Sequence, residues 1–145
     1  MQLNQSIISD IKSIIAQSRD RAIRAVDHQR ALMYWHIGKR IFEEEQEGKD
    51  RADYGKYLIK YLSEQLQPEF GSGFSVRQIN LYRQFYRTFE NVHTLYAQLS
   101  WSQYKLLLTV ENQDKREFYI AESVKNNWTS RQLERQMNSN LYERL

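Results

Sequence analysis

The sequence predicts an all-α fold, a multi-helix bundle with a long N-terminal helix and a helix-turn-helix-like pair. Three observations predict it: apolar residues recur at steps of three and four, no stretch alternates as a half-buried strand would, and only one Pro and five Gly interrupt the chain. The length of 145 residues, with 41% hydrophobic and 13% aromatic residues, fits a single globular domain over 1–145 with a real core and argues against a disordered segment.

The first element is expected over about residues 4–42. Ile7, Ile11, Ile14, Ala22, Val26, Met33 and Ile37 keep helical spacing there, with Ser18 and Gln29 as weak positions and Ser18-Arg19-Asp20 as the place for a break. A helix this long cannot bury its stripe on itself, so later helices or a partner chain must cover it. Gly48 closes the element after the acidic run Glu43 to Glu47. A second helix is expected over about 52–66 through Leu58, Ile59, Leu62 and Leu66, ahead of the turn signal Gln67-Pro68-Glu69-Phe70-Gly71-Ser72-Gly73-Phe74. Ser75 then caps a third helix to about Phe89, which makes 52–89 the helix-turn-helix-like part. Three C-terminal helices fill about 101–143, with starts expected at Trp101-Ser102, Asp114 and Trp128-Thr129. The segments starting at Phe74 and Trp128 share an aromatic residue, a hydroxyl cap and Arg-Gln-aliphatic, a reused start signal in which the aromatic packs back on the first turn.

On the third helix the apolar residues Ile79, Leu81, Tyr82, Phe85, Tyr86 and Phe89 share one side, leaving Arg77, Asn80, Arg83, Gln84 and Arg87 on the other. That second face has no acid. Arg pairs bidentately with guanine edges and phosphates, and Asn and Gln with adenine edges, so these are the side chains that a groove-reading helix needs. A plain solvated face is the alternative, although surface helices usually mix signs, as Lys115 with Glu111 would do. Arg131, Arg135 and Asn138 on the last helix form a weaker second candidate, diluted by Glu134 and better read as ordinary surface. Charge placement agrees with a site in the second half: residues 1–70 hold 11 Lys/Arg against 11 Asp/Glu, and residues 71–145 hold 10 against 7.

Several chemistries find no support. No cysteine is present, which removes a thiolate nucleophile and a cysteine zinc site and fits a reducing cytoplasm. His28, His36 and His93 lack metal-ligand spacing, and Gly71-Ser72-Gly73 lacks the Lys-Ser/Thr ending of a phosphate loop, so no metal or cofactor is expected. The run Glu43 to Glu47 points its carboxylates in different directions on a helix. Catalysis within this chain is therefore not expected, and neither an export signal nor a membrane-spanning stretch is found.

Blocks in fixed order then carry a resemblance. They run Tyr34-Trp35-x-Ile37-Gly38-Lys39-x-Ile41, Tyr54-Gly55-Lys56 to Leu62-Ser63, Phe70-Gly71-x-Gly73-Phe74-Ser75 to Arg83-Gln84-Phe85-Tyr86, Leu99-Ser100-Trp101-Ser102, Arg116-Glu117-Phe118-Tyr119, and Trp128-Thr129-x-Arg131-Gln132-Leu133 to Leu145. Together they resemble the N-terminal domain of the YhcG-type family. The resemblance implies a helical domain that binds DNA ahead of a C-terminal PD-(D/E)XK nuclease domain, which this chain lacks. Gln103 stands where that pattern usually has His, and Asp27 where Asn is common. The expectation is thus a DNA-binding module, duplex DNA being the partner. The alternative is a protein-interaction or homo-oligomerisation module built on the long first helix.

Overall fold

A computed structural model describes residues 5–48 and 53–145 and places six α-helices among them: α1 (Gln5–Glu47), α2 (Tyr54–Phe70), α3 (Val76–Thr88), α4 (Trp101–Leu107), α5 (Gln113–Lys125) and α6 (Ser130–Asn138). Short 3-10 turns at Ser72–Phe74 and Val92–Thr94 link them, and no strand occurs among the described residues. The expected starts at Asn4 and Ala52 lie outside the described residues.

Helix α1 passes unbroken through Ser18-Arg19-Asp20 and runs beyond the expected Phe42. The run Glu43 to Glu47 is made of good helix formers, and Lys39–Glu43 (4.0 Å) and Arg40–Glu44 (2.9 Å) lace its last turns at i,i+4. Its two halves live in different surroundings. Ser6 to Val26 are all exposed, whereas Ala31, Trp35, Gly38 and Ile41 are buried. The expected stripe through Val26 and Met33 is therefore not the core side, since those residues are 60% and 48% exposed. Three-and-four spacing locates an apolar side without saying which partner covers it.

The core grows from the second half of α1. A Cβ on Gly38 would lie 2.0 Å from the Tyr82 carbonyl oxygen, so here the backbones of α1 and α3 touch. Tyr34 stacks on Tyr82 at 4.2 Å and 7°, Phe85 packs on Trp101 (5.1 Å) and Tyr104 (4.9 Å), and the Trp35 indole donates to the Phe89 carbonyl at 2.6 Å. Buried aromatics with satisfied polar ends hold α3 and α4 on α1. Burial pushes the Tyr104 hydroxyl up to about 12 and the Tyr82 hydroxyl higher still, and each is occupied: Tyr104 accepts from the Tyr96 amide at 2.7 Å, and Tyr82 donates to the Gly73 carbonyl at 2.6 Å. A second, smaller cluster of Ile41, Ile59 and Ile79 seats α2.

Helix α2 reaches Phe70, past the expected Leu66, with Pro68 in its last turn. Pro there forfeits one amide bond on an exposed stretch, where water serves the freed carbonyl. The turn is made by Gly71, whose φ of 89° suits only a residue without a side chain. Ser75 caps α3 as expected, accepting from the Gln78 amide at 3.2 Å. The start expected at Trp101-Ser102 holds, since α4 begins at Trp101 with Ser100 as its cap, and α5 begins at Gln113, one residue ahead of the expected Asp114, with Asn112 as its cap. In both cases a buried residue precedes the cap, Leu99 directly before Ser100 and Val110 two residues before Asn112. Thr129 caps α6 in a reciprocal box with Gln132. Lys115 pairs with Glu143 near the C-terminus and not with Glu111, and their hydrogen bond raises the lysine and lowers the carboxyl from their ordinary values.

Candidate nucleic-acid interface

Helix α3 is divided as its sequence demands. Ile79, Tyr82 and Phe85 are fully buried against α1, α2 and α4, which fixes the helix rotation and turns the polar arc outward. Arg77, Asn80, Gln84 and Arg87 are exposed, and Arg83 is half-buried.

The arc is not uniform. Arg83 donates to the carboxylate of Glu45, whose side chain is only 11% exposed, so its guanidinium is paired within the fold. The pair arises because α1 outlasts Phe42 and lays its acidic last turns beside α3. The Gln84 amide donates to the Leu108 carbonyl at 3.1 Å, closing the end of α4, so this side chain too has a task within the fold. Arg87 lies over the Phe42 ring at 5.9 Å, a contact that steadies the stem and leaves the guanidinium donors facing water. Arg77 and Asn80 have no ion pair or hydrogen bond from the side chain to any described residue.

Two basic residues join this surface that the sequence reading overlooked. Lys56 and Lys60 of α2 line a cleft of about 470 Å³ together with Asn80, Arg83 and Val76, and Glu45 and Asp53 form its acidic side. Their i,i+4 spacing on one face of α2 was the available signal. The run Glu43 to Glu47 disperses, as expected on a helix: Glu43 meets Lys39, Glu44 meets Arg40 and Glu45 meets Arg83. Among the described residues no three His, Asp or Glu side chains gather as a metal site, and no helix is long and apolar enough to cross a membrane. Arg131, Arg135 and Asn138 are exposed on α6 and share a shallow surface with Glu134 and Ser139. That helix packs on α4 and α5, so the two candidate patches rest on different parts of the bundle.

Gln103, the departure from the resembled pattern, is buried at 3% exposure and ties two loops together. Its Oε1 accepts from the Ser100 amide at 2.8 Å and its Nε2 donates to the Trp128 carbonyl at 2.7 Å. A bidentate carboxamide serves two backbone groups at once, which explains its place in this chain without any ligand.

Fold and surface together define a helical domain with a cationic, amide-bearing helix face set on a rigid aromatic core. Residues 10–144 match the DUF1016 N-terminal domain, and the chain belongs to that family. It is 33% identical, over an alignment of 172 positions, to the Escherichia coli (strain K12) protein named "Putative nuclease YhcG". That alignment covers 97% of this chain and 46% of the relative, so the chain spans less than half the length of the curated relative it matches. No solved structure matches the chain.

Proposed function

We propose that this domain binds duplex DNA and, in longer relatives, carries a nuclease domain to it. Arg77, Asn80 and Arg87, the exposed residues of the α3 arc whose side chains make no hydrogen bond to any described residue, make the contacts, and Lys56 and Lys60 extend the arc along the phosphates. The observation that carries this reading is the outward cationic and amide face of a helix whose other face is locked into the core. A rigid helix with groove-matched donors loses little entropy on meeting a groove. Helix α2, the turn at Gly71 and α3 play the part of a helix-turn-helix-like pair. Kinship with a protein named as a nuclease supports a nucleic-acid partner, and a cysteine-free chain suits the cytoplasm, where such DNA lies.

Fluorescence anisotropy with a random duplex tests the proposal. Affinity should fall steeply with salt, with a log–log slope that shrinks by about 0.9 for each phosphate contact removed. Arg77→Ala/Arg87→Ala should weaken binding and flatten that slope by one to two contacts. Glu45→Gln, which removes a carboxylate from the cleft and frees Arg83, should strengthen binding. Absence of binding at low salt refutes the proposal for this domain.

A further inference from the structure

The first half of α1 projects as a bare helix carrying an apolar stripe. Ile7 (56%), Ile8 (54%), Ile11 (47%), Ile14 (63%), Ile15 (46%) and Val26 (60%) are all largely exposed, and Met33 (48%) continues their line. At about 100° per residue, they fall within an arc of roughly 120° together with Ser18, Ala22 and Ala25. The residues that bury α1 in its own domain, Ala31, Trp35, Gly38 and Ile41, are centred about 180° away around the helix. The domain's own core therefore cannot be the cover for this stripe.

We infer that a second copy of this chain covers it, the two α1 arms pairing antiparallel about a midpoint near Ser18. Area is the first argument. At half exposure the stripe presents on the order of 600 Å² of apolar surface, as much as the largest patch that a typical monomer leaves bare. Two arms together would bury on the order of 1,200 Å² or more, the size of a specific interface. Sterics give the direction. Ile37, Arg40 and Glu44 of α1 face α2, on the side where the stripe would continue. A parallel partner helix following the stripe would run into α2 there. An antiparallel partner ends before it, because each arm matches the other's free length of roughly 30 Å at about 1.5 Å per residue, and the two bodies lie at opposite ends.

Shape and charge agree with this direction. The large side chains Ile7, Ile8, Ile11, Ile14 and Ile15 lie towards the tip, and the small Ser18, Ala22 and Ala25 follow, so reversal sets large against small. Residues 6–17 carry Asp10 and Lys12 and no net charge, whereas residues 18–30 carry Arg19, Arg21, Arg24 and Arg30 against Asp20 and Asp27. Antiparallel order sets the basic stretch beside the neutral one, while parallel order sets it beside itself. A lipid surface fits less well. The stripe has no aromatic anchor, and three aspartates stand on the polar side.

The intact chain tests this by sedimentation equilibrium at roughly 50 µM, a concentration that populates a micromolar dimer. A mass of twice 17.6 kDa is expected, with Ile11→Asp/Ile15→Asp returning it to the monomer value. Ile23→Asp, also exposed (61%) but outside the arc, should leave the dimer intact. All three tryptophans (Trp35, Trp101, Trp128) lie outside the arm, so unchanged tryptophan emission shows that the body of each variant is folded. A spin label on Ser9→Cys then reads the direction: about 30–35 Å between labels for the antiparallel pair and about 20 Å for a parallel one. A monomer at this concentration overturns the inference, as does a dimer indifferent to Ile11→Asp/Ile15→Asp. The shorter separation overturns the antiparallel order. So does a monomer that binds 3:1 phosphatidylcholine–phosphatidylglycerol vesicles through the same isoleucines, since the cover would then be lipid.

Discussion

Gly38 and Gly55 are both helical glycines, and the structure assigns opposite signs to their replacement by Ala. At Gly38 the new Cβ would meet the Tyr82 carbonyl oxygen at 2.0 Å, the Tyr82 carbonyl carbon at 2.7 Å and the Tyr86 Cβ at 3.1 Å. The first two neighbours are helix backbone and cannot swing aside, so α3 must move off α1 by about 1 Å to restore contact distance. That displacement loosens the Tyr34–Tyr82 stack and the hydrogen bond from Trp35 to Phe89, which join the same two segments. Overpacking of this kind costs about 1–3 kcal/mol or more, and the helix-propensity gain of Gly→Ala returns only about 1 kcal/mol. The upper part of the range applies because backbone and not a flexible side chain is in the way, leaving a net loss of about 2 kcal/mol. At Gly55 the nearest atom would be the Glu45 Oε2 at 3.6 Å, ordinary contact, so Gly55→Ala should gain about 0.5–1 kcal/mol. Urea unfolding followed by circular dichroism and tryptophan emission measures both, and thermal midpoints should move by roughly −4 to −8 °C and +1 to +4 °C. A Gly38→Ala protein as stable as its parent would refute the close approach of α1 and α3 on which the packing rests.

Two further outcomes follow from the polar groups inside the fold. Gln103→Ala should cost about 2–3 kcal/mol in the same urea assay, because it strips partners from the Ser100 amide and the Trp128 carbonyl; Ser102→Ala, at the start expected from sequence, should change stability by less than about 0.5 kcal/mol. Equal effects would refute the part given to the Gln103 bonds with Ser100 and Trp128. The buried phenols should make the domain lose stability in alkali. Tyr104, raised from 10.0 to about 12, favours its neutral form in the fold, so its contribution is whole below pH 10 and declines as pH rises from there towards 12. The decline is at most about 1.4 kcal/mol per pH unit for each such group. Tyr104→Phe should flatten the fall in urea midpoint between pH 9 and 11.5, and an equally steep fall in that variant would clear Tyr104 of the effect.

Residues near one another in sequence determined a good deal. Scarce Gly and Pro and three-and-four spacing set the all-helical class, Gly48 and Gly71 set where helices stop, and Ser75 and Thr129 set where two of them begin. These are local signals: a cap, a breaker or a period acts within one or two turns and is legible without knowing the neighbours. The split of α3 into an aromatic side and an arginine-amide side belongs with them. Tertiary structure alone decided what each exposed-looking group meets. Glu45 reaches Arg83 from far along the chain, Gln84 closes α4 through the Leu108 carbonyl, and Lys56 and Lys60 come alongside Asn80, because helix rotation and crossing are set by the whole core. The isoleucines of α1 show the same division. Their spacing made an apolar side certain, and only the packing of Trp35, Gly38 and Ile41 on the opposite side left that stripe uncovered by its own domain.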